Sequence, residues 1–182
     1  MNLPRHQLTM TVLMTPDMAN FSGKVHGGTI LKLLDQVAYA CASRYAQRYV
    51  VTLSVNQVKF LQPIHVGELV NFQASVNHTG QSSMEVGIKV TAENVRTQAI
   101  RHANSSFLTM VALGDDGRPV PVPPLAPATA DERRRFEAAK IRKQLRQELE
   151  QREAALLKSM SLQTPDRSTE QTALRTPPER AG

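Results

Sequence analysis

The 182-residue chain has a single cysteine, no tryptophan and only 4% aromatic residues. One cysteine, Cys41, excludes an intrachain disulfide framework and a thiolate-rich zinc site within one chain. It sits among apolar residues with no histidine at a recognisable spacing, which assigns it to packing. No run of about eighteen apolar residues occurs, and residues 1–8 lack an apolar stretch followed by a cleavage site. Neither a membrane span nor a secretory signal is therefore expected, and the cytoplasm is the expected location. The five histidines, His6, His26, His65, His78 and His102, are scattered without metal-ligand spacing, so no metal site is expected. No Gly-x-Ser-x-Gly elbow is present, which sets aside serine-hydrolase chemistry. The net charge of +6 resembles a nucleic-acid signature, but it is spread evenly. Residues 1–127 hold ten Lys and Arg against seven Asp and Glu, and residues 128–182 hold twelve against nine. Without a concentrated basic patch, no nucleic-acid partner is expected.

Proline marks the main division. The segment 119–127 carries five prolines and cannot form a helix or a central strand, because proline lacks the backbone donor and fixes its own φ. It reads as a stiff extended linker. Beyond it, Thr129-Ala130-Asp131-Glu132 reads as a capping box that opens a charged helix running to about Lys158. The apolar stripe of that helix is thin: Ile141, Leu145, Leu149 and Leu156. The resulting organisation is a working domain at 1–118, a linker at 119–128, a charged helix at 129–158 and a disordered tail at 159–182.

Within the working domain, residues 28–47 contain no proline and are dense in Leu, Ile, Val and Ala. They predict one buried helix of about five turns. The next segments alternate with period two: Val51, Leu53, Val55; then Val70, Phe72, Ala74, Val76; then Met84, Val86, Ile88, Val90, Ala92. These are half-buried strands. Between Val55 and Val58 the apolar parity switches, which a β-bulge near Asn56 and Gln57 would explain. The segment His78-Thr79-Gly80-Gln81-Ser82 joins two strands as a hairpin. With residues 7–15 as a first strand and 99–113 as a last, the order is β-α-β-β-β-β. An antiparallel sheet must then fold its apolar face around the one core helix.

Asp35 is out of place on such a helix. Lys32, Gln36, Tyr39, Ser43 and Gln47 form a polar stripe, but Asp35 falls in line with Gly28, Leu31, Ala38, Ala42 and Ala46. A carboxylate on that mostly small, buried stripe must find partners, since an unpaired buried charge costs several kcal/mol. Pairing with Lys32 would be structural; a carboxylate held for chemistry would be functional. At the helix start, Val25-His26-Gly27-Gly28-Thr29 offers no good side-chain cap, so free first-turn amides are expected. Such amides bind an anion or polarise a carbonyl, and glycine lets a ligand come close. Asn20, in the preceding loop, offers a neutral amide able to hold water or substrate.

Asn20-x-x-Gly23-x-x-x-Gly27-Gly28 followed by Asp35 resembles the signature of hotdog-fold acyl-coenzyme A thioesterases, specifically the cytosolic acyl-CoA hydrolase group. Phe60-Leu61-Gln62-Pro63-Ile64-His65-Val66-Gly67-Glu68 and Thr79-Gly80-Gln81-Ser82-Ser83-Met84-Glu85-Val86 are similar to later landmarks of that group. The resemblance spans about residues 8–113; Gln81 stands where many relatives carry a basic residue. It implies an α+β hotdog fold, a five-stranded antiparallel sheet wrapped around one long helix, to which the C-terminal helix is an extension. It further implies hydrolysis of fatty acyl-CoA, with no cofactor, by a homodimer that assembles as a trimer of dimers. Asp35 would be general base or nucleophile, Asn20 of the neighbouring subunit would orient water or substrate, and the Gly28 amide, with Gly27, would stabilise the oxyanion. Ser54 or Thr52 would assist. His26 would orient the loop or bind substrate, and Thr79, Gly80, Ser82 and Ser83 would contact coenzyme A. Two other readings share the fold: a non-catalytic sensor of acyl-CoA or nucleotide, and an enoyl-thioester hydratase. The hydratase pattern Asp-x-Asn-Pro-x-His is not matched by Asp17 and Asn20.

Overall fold

The computed structural model describes residues 3–161. The elements run β1 (Gln7–Leu13), α1 (Gly27–Ala46), β2 (Tyr49–Phe60), β3 (Glu68–Thr79), β4 (Ser83–Asn94), β5 (Ile100–Leu113) and α2 (Ala130–Ser161), with a single 3-10 turn at Pro16–Met18 before α1. The five strands form one antiparallel sheet in the order β1-β3-β4-β5-β2. All five touch α1, which the sheet wraps. This is the hotdog arrangement that the resemblance implies. Ile30, Leu34, Val37, Ala38, Cys41 and Ala42 of α1 are buried against Val70, Phe72, Val86, Val90, Leu108 and Met110. At roughly 1.5–3 kcal/mol for each large apolar side chain taken out of water, this contact is the main stabilising term.

The hairpin between β3 and β4 closes as expected, with the Gly80 amide donating to the Ser83 carbonyl at 2.7 Å. β2 departs from the simple alternation. Its pairing with β5 jumps between Thr52 and Ser54 and again between Val55 and Gln57. The second jump is the bulge expected near Asn56; the first, at Leu53, has no sequence signal. Residues directly opposite each other in a sheet share a face. Val50, Thr52, Val55, Val58 and Phe60 therefore lie on the helix side, opposite Ala112, Met110, Leu108, Ser106 and Asn104. The expected inward row Val51, Leu53, Val55 does not exist. β2 is also a sheet edge, so Tyr49, Leu53 and Val55 stay 62%, 67% and 53% exposed.

The proline segment is extended, as its composition requires, and it is stitched to the sheet. The Val120 amide donates to the Ala112 carbonyl and the Val122 amide to the Gln81 carbonyl, both at 2.9 Å. The Tyr45 hydroxyl donates to the Pro123 carbonyl at 3.0 Å. α2 opens with the expected box: the Glu132 amide donates to Thr129 Oγ1 at 3.2 Å, while Glu132 Oε2 accepts from the Thr129 and Ala128 amides at 3.1 and 2.8 Å. The helix ends three residues past the expected Lys158; the rest of the expected disordered tail lies outside the described residues. The described residues fall into two units, one running to Lys140 and one starting at Ile141. In the first, Phe136 of α2 lies against His78, with ring centroids 5.1 Å apart, and Ala139 is buried. In the second, Ile141, Leu145, Leu149 and Leu156 are all exposed. Among the described residues, no helix is long and apolar enough to cross a membrane.

Candidate active site

Asp35 occupies the third turn of α1 and faces β2, where the Thr52 hydroxyl donates to Asp35 Oδ1 at 2.5 Å. Among the described residues no cation reaches ion-pairing distance of Asp35, so the structural pairing with Lys32 does not form. Asp35 is exposed in the single protomer, against the expectation of a buried stripe. The stripe divides along the helix: Ala38, Ala42 and Ala46 are buried, whereas Gly28, Leu31 and Asp35 are open. Asp35 and Thr52 share a surface hollow of about 390 Å³ with Gln36, Tyr39, Tyr49 and Val51. Tyr39 and Tyr49 meet edge to face there, 6.2 Å between centroids.

The second cluster lies at the start of α1. Contrary to the reading of an uncapped helix, His26 is the cap: its Nδ1 accepts from the Gly28 amide at 2.8 Å. With extended backbone at φ −65° and ψ 133°, the imidazole reaches the first turn as a capping Asn would. Gly28 therefore does not offer a free donor. The Gly27 amide has no acceptor among the described residues. It borders a groove of about 320 Å³ shared with Asn20, Ile30, Phe60, Pro63 and Ile64. The carbonyl oxygen of the Asn20 side chain accepts from the Ser22 amide, the Ser22 hydroxyl and the Lys24 amide at 2.9, 2.8 and 3.1 Å. Its NH₂ end has no acceptor among the described residues. A Cβ on Gly27 would stand 3.8 Å from Phe60, so space there is ample; glycine's value is close approach to the backbone.

Within one protomer the carboxylate and the free amide thus border different hollows. Ser54 does not join Asp35; its hydroxyl donates to Asn56 Oδ1 at 2.6 Å. The hairpin residues Thr79, Gly80, Ser82 and Ser83 do not join it either. Thr79 pairs with Met84, Met84 with Met110 and Met110 with Thr52, which separates Thr79 from Thr52 by three strand spacings, about 14 Å. Thr79 Oγ1 instead accepts from the Leu125 amide at 3.1 Å. Among the described residues, no group of three or more His, Cys, Asp or Glu side chains converges as metal ligands would.

Two features have weak sequence signals. Thr52 is named from the sequence as an alternative to Ser54; the strand alternation alone does not choose between them, because the bulge at Leu53 disrupts the count. The other is the pair Glu68 and Arg101, from strands far apart in sequence. Arg101 forks onto both Glu68 oxygens at 2.6 Å and also donates to the Pro63 carbonyl at 2.7 Å. Burial raises the Glu68 pKa, but the Arg101 hydrogen bonds and the His65 amide more than offset this and hold it below the ordinary carboxylate range. Cys41 is buried and its pKa is pushed up to about 12 by burial, in line with plain packing.

The family model of the thioesterase superfamily matches residues 22–99. Protein VdlD of Helicobacter pylori is 49% identical over 142 residues, 78% of this chain and 81% of that protein. An apo hexameric acyl-CoA thioesterase superposes with a TM-score of 0.77 at 37% identity, over 79% of this chain and 92% of its own. An acyl-CoA hydrolase from Staphylococcus aureus, solved with butyryl coenzyme A, coenzyme A and coenzyme A disulfide, superposes with a TM-score of 0.78 at 29% identity, over 86% and 96%. Forms of that hydrolase with an asparagine, an aspartate or a threonine changed to alanine match as well.

Proposed function

The chain belongs to the thioesterase superfamily, and from that premise we propose that it hydrolyses fatty acyl-CoA to a free fatty acid and coenzyme A in the cytoplasm. The observation that carries the mechanism is the Asp35–Thr52 bond. It ties one carboxylate oxygen and leaves the other free to take a proton. Asp35 is the general base: it removes a proton from water as the water oxygen bonds to the thioester carbon. The carbonyl oxygen takes up the electron pair and is stabilised by the Gly27 amide at the positive end of α1. Collapse of the intermediate restores the carbonyl and breaks the C–S bond, and Asp35 returns its proton to the departing thiolate. Donors of this kind are typically worth about 3–4 kcal/mol in the barrier. Ile30, Phe60 and Ile64 give the acyl chain an apolar wall beside Gly27.

The two half-sites are completed across a homodimer, with Asn20 and Gly27 of one protomer meeting Asp35 and Thr52 of the other, and three such dimers form a hexamer. The exposed edge β2, with Tyr49, Leu53 and Val55, supports this reading, as does the hexameric state of the similar thioesterase. The altered asparagine, aspartate and threonine of the S. aureus hydrolase are spaced by fifteen and seventeen residues, as are Asn20, Asp35 and Thr52 here. The test is thiol release from acyl-CoAs of two to eighteen carbons by the parent and by Asp35→Asn. Release by the parent and its near-complete loss in the variant is expected. Tight acyl-CoA binding without release by the parent would replace this reading with that of a non-catalytic sensor.

A further inference from the structure

We infer that the Glu68–Arg101 pair is a positioning device for the loop that carries Asn20 and Gly27, an inference that rests on the functional reading above. The pair is largely dry, with side chains 7% and 25% exposed. A buried pair is poor evidence for stability in itself, because the desolvation of both charges roughly offsets their attraction. What this pair holds is more telling. Arg101 donates to the Pro63 carbonyl at 2.7 Å, and Glu68 Oε2 accepts from the His65 amide at 2.9 Å. Both ends of the Pro63-Ile64-His65 turn are thus fixed to one rigid fork. Between them, the Ile64 carbonyl accepts from the Val25 amide at 2.9 Å, and His65 bridges to Lys24. Lys24 and Val25 are the residues that hold the site. The Lys24 carbonyl accepts from the Asn20 amide at 2.6 Å, the Lys24 amide donates to the Asn20 side chain at 3.1 Å, and Val25 leads through His26 to Gly27. Pro63 and Ile64 also wall the groove that Asn20 and Gly27 border.

The fork matters because a guanidinium reaches three acceptors at fixed angles, which an ammonium does not. Arg101→Lys keeps the charge and loses the fork; Glu68→Gln keeps an acceptor for the His65 amide and loses the carboxylate. A displacement of about 1 Å in a positioning group is able to cost on the order of a hundredfold in rate. The experiment combines acyl-CoA kinetics with backbone hydrogen exchange on the intact oligomer of the parent, Arg101→Lys and Glu68→Gln. Expected in both variants is a kcat lowered roughly tenfold or more with KM held within about twofold, and faster exchange in residues 16–28 and 61–67 with β4 unchanged. Exchange and kcat at the parent's values would overturn the inference. So would faster exchange throughout the sheet, which would make the pair a support for the whole fold. A parent that releases no thiol would refute the functional reading, and the exchange pattern would still judge the loop assignment.

Discussion

Replacing Thr52 by valine removes one hydroxyl and keeps the side-chain shape. The hydroxyl donates to Asp35 at 2.5 Å and, among the described residues, otherwise meets only Met110 Sδ at 3.5 Å, so the change isolates one interaction. A hydrogen bond to a charged group is worth roughly 1.5–3 kcal/mol, and each 1.4 kcal/mol is tenfold in rate, so full use of the bond in the barrier corresponds to about ten- to a hundredfold. In the proposed mechanism the bond steadies the base and does not touch the leaving group, so the loss belongs in kcat with KM little changed. Thr52 is exposed in the protomer, and the substitution should leave its stability within about 0.5 kcal/mol. The assay is thiol release under saturating acyl-CoA, with Thr52→Ser as the control that keeps the hydroxyl. A serine variant near parental kcat and a valine variant at least tenfold lower is the expected result. A valine variant within twofold of the parent would refute the role given to Thr52.

Gly87→Ala should destabilise by about 1–3 kcal/mol, because the new methyl group displaces the amide of buried Asn77 and stands 3.3 Å from Phe107. Thermal unfolding of the double variant with Asn77→Ser should recover much of that loss; no recovery would mean the collision is misplaced. Glu132 has a pKa lowered to about 2, first by the Thr129 amide, with the Ala128 amide and His6 adding to it against burial. A depressed carboxylate stabilises above its ordinary value and loses that contribution as pH falls through the folded value. The advantage of the parent over Glu132→Gln in thermal unfolding should therefore be full above about pH 4.5 and vanish toward about pH 2. Cys41 should resist disulfide reagents in the native protein and react once guanidinium unfolds it, which also keeps it silent in the thiol-release assay. Rapid native modification would contradict its burial.

Element order, the hairpin at Gly80 and the capping box at Thr129 follow from patterns local to a few residues, and these are legible in the chain. The helix face was half legible. A period of 3.6 assigns Asp35 to a stripe, but burial depends on what lies opposite: the sheet covers Ala38 and Ala42, whereas Asp35 meets the Thr52 hydroxyl at the edge strand β2 and stays exposed. His26 capping Gly28 is a rotamer outcome of a residue type that rarely caps, so the glycine pair alone suggested two free amides where one remains. Thr52 stood beside Ser54 as an alternative, because the extra residue at Leu53 reverses the alternation until the second bulge near Asn56 restores it. The Glu68–Arg101 fork joins residues 33 apart through sheet pairing, and no spacing rule connects them.

The central claim is that each site is shared between two protomers, with Asp35 of one facing Asn20 and Gly27 of the other. Subunit mixing tests it most directly. Asp35→Asn and Asn20→Ala proteins, each nearly inactive alone, are unfolded together, refolded and assayed for thiol release. In a two-fold dimer built this way, a mixed pair contains one wholly native site, and random pairing restores about a quarter of the parental sites. Recovery toward that level is the predicted result. Activity that stays at the sum of the two variants, with mixed oligomers present, would place Asp35 and Asn20 in the same protomer's site and contradict the account.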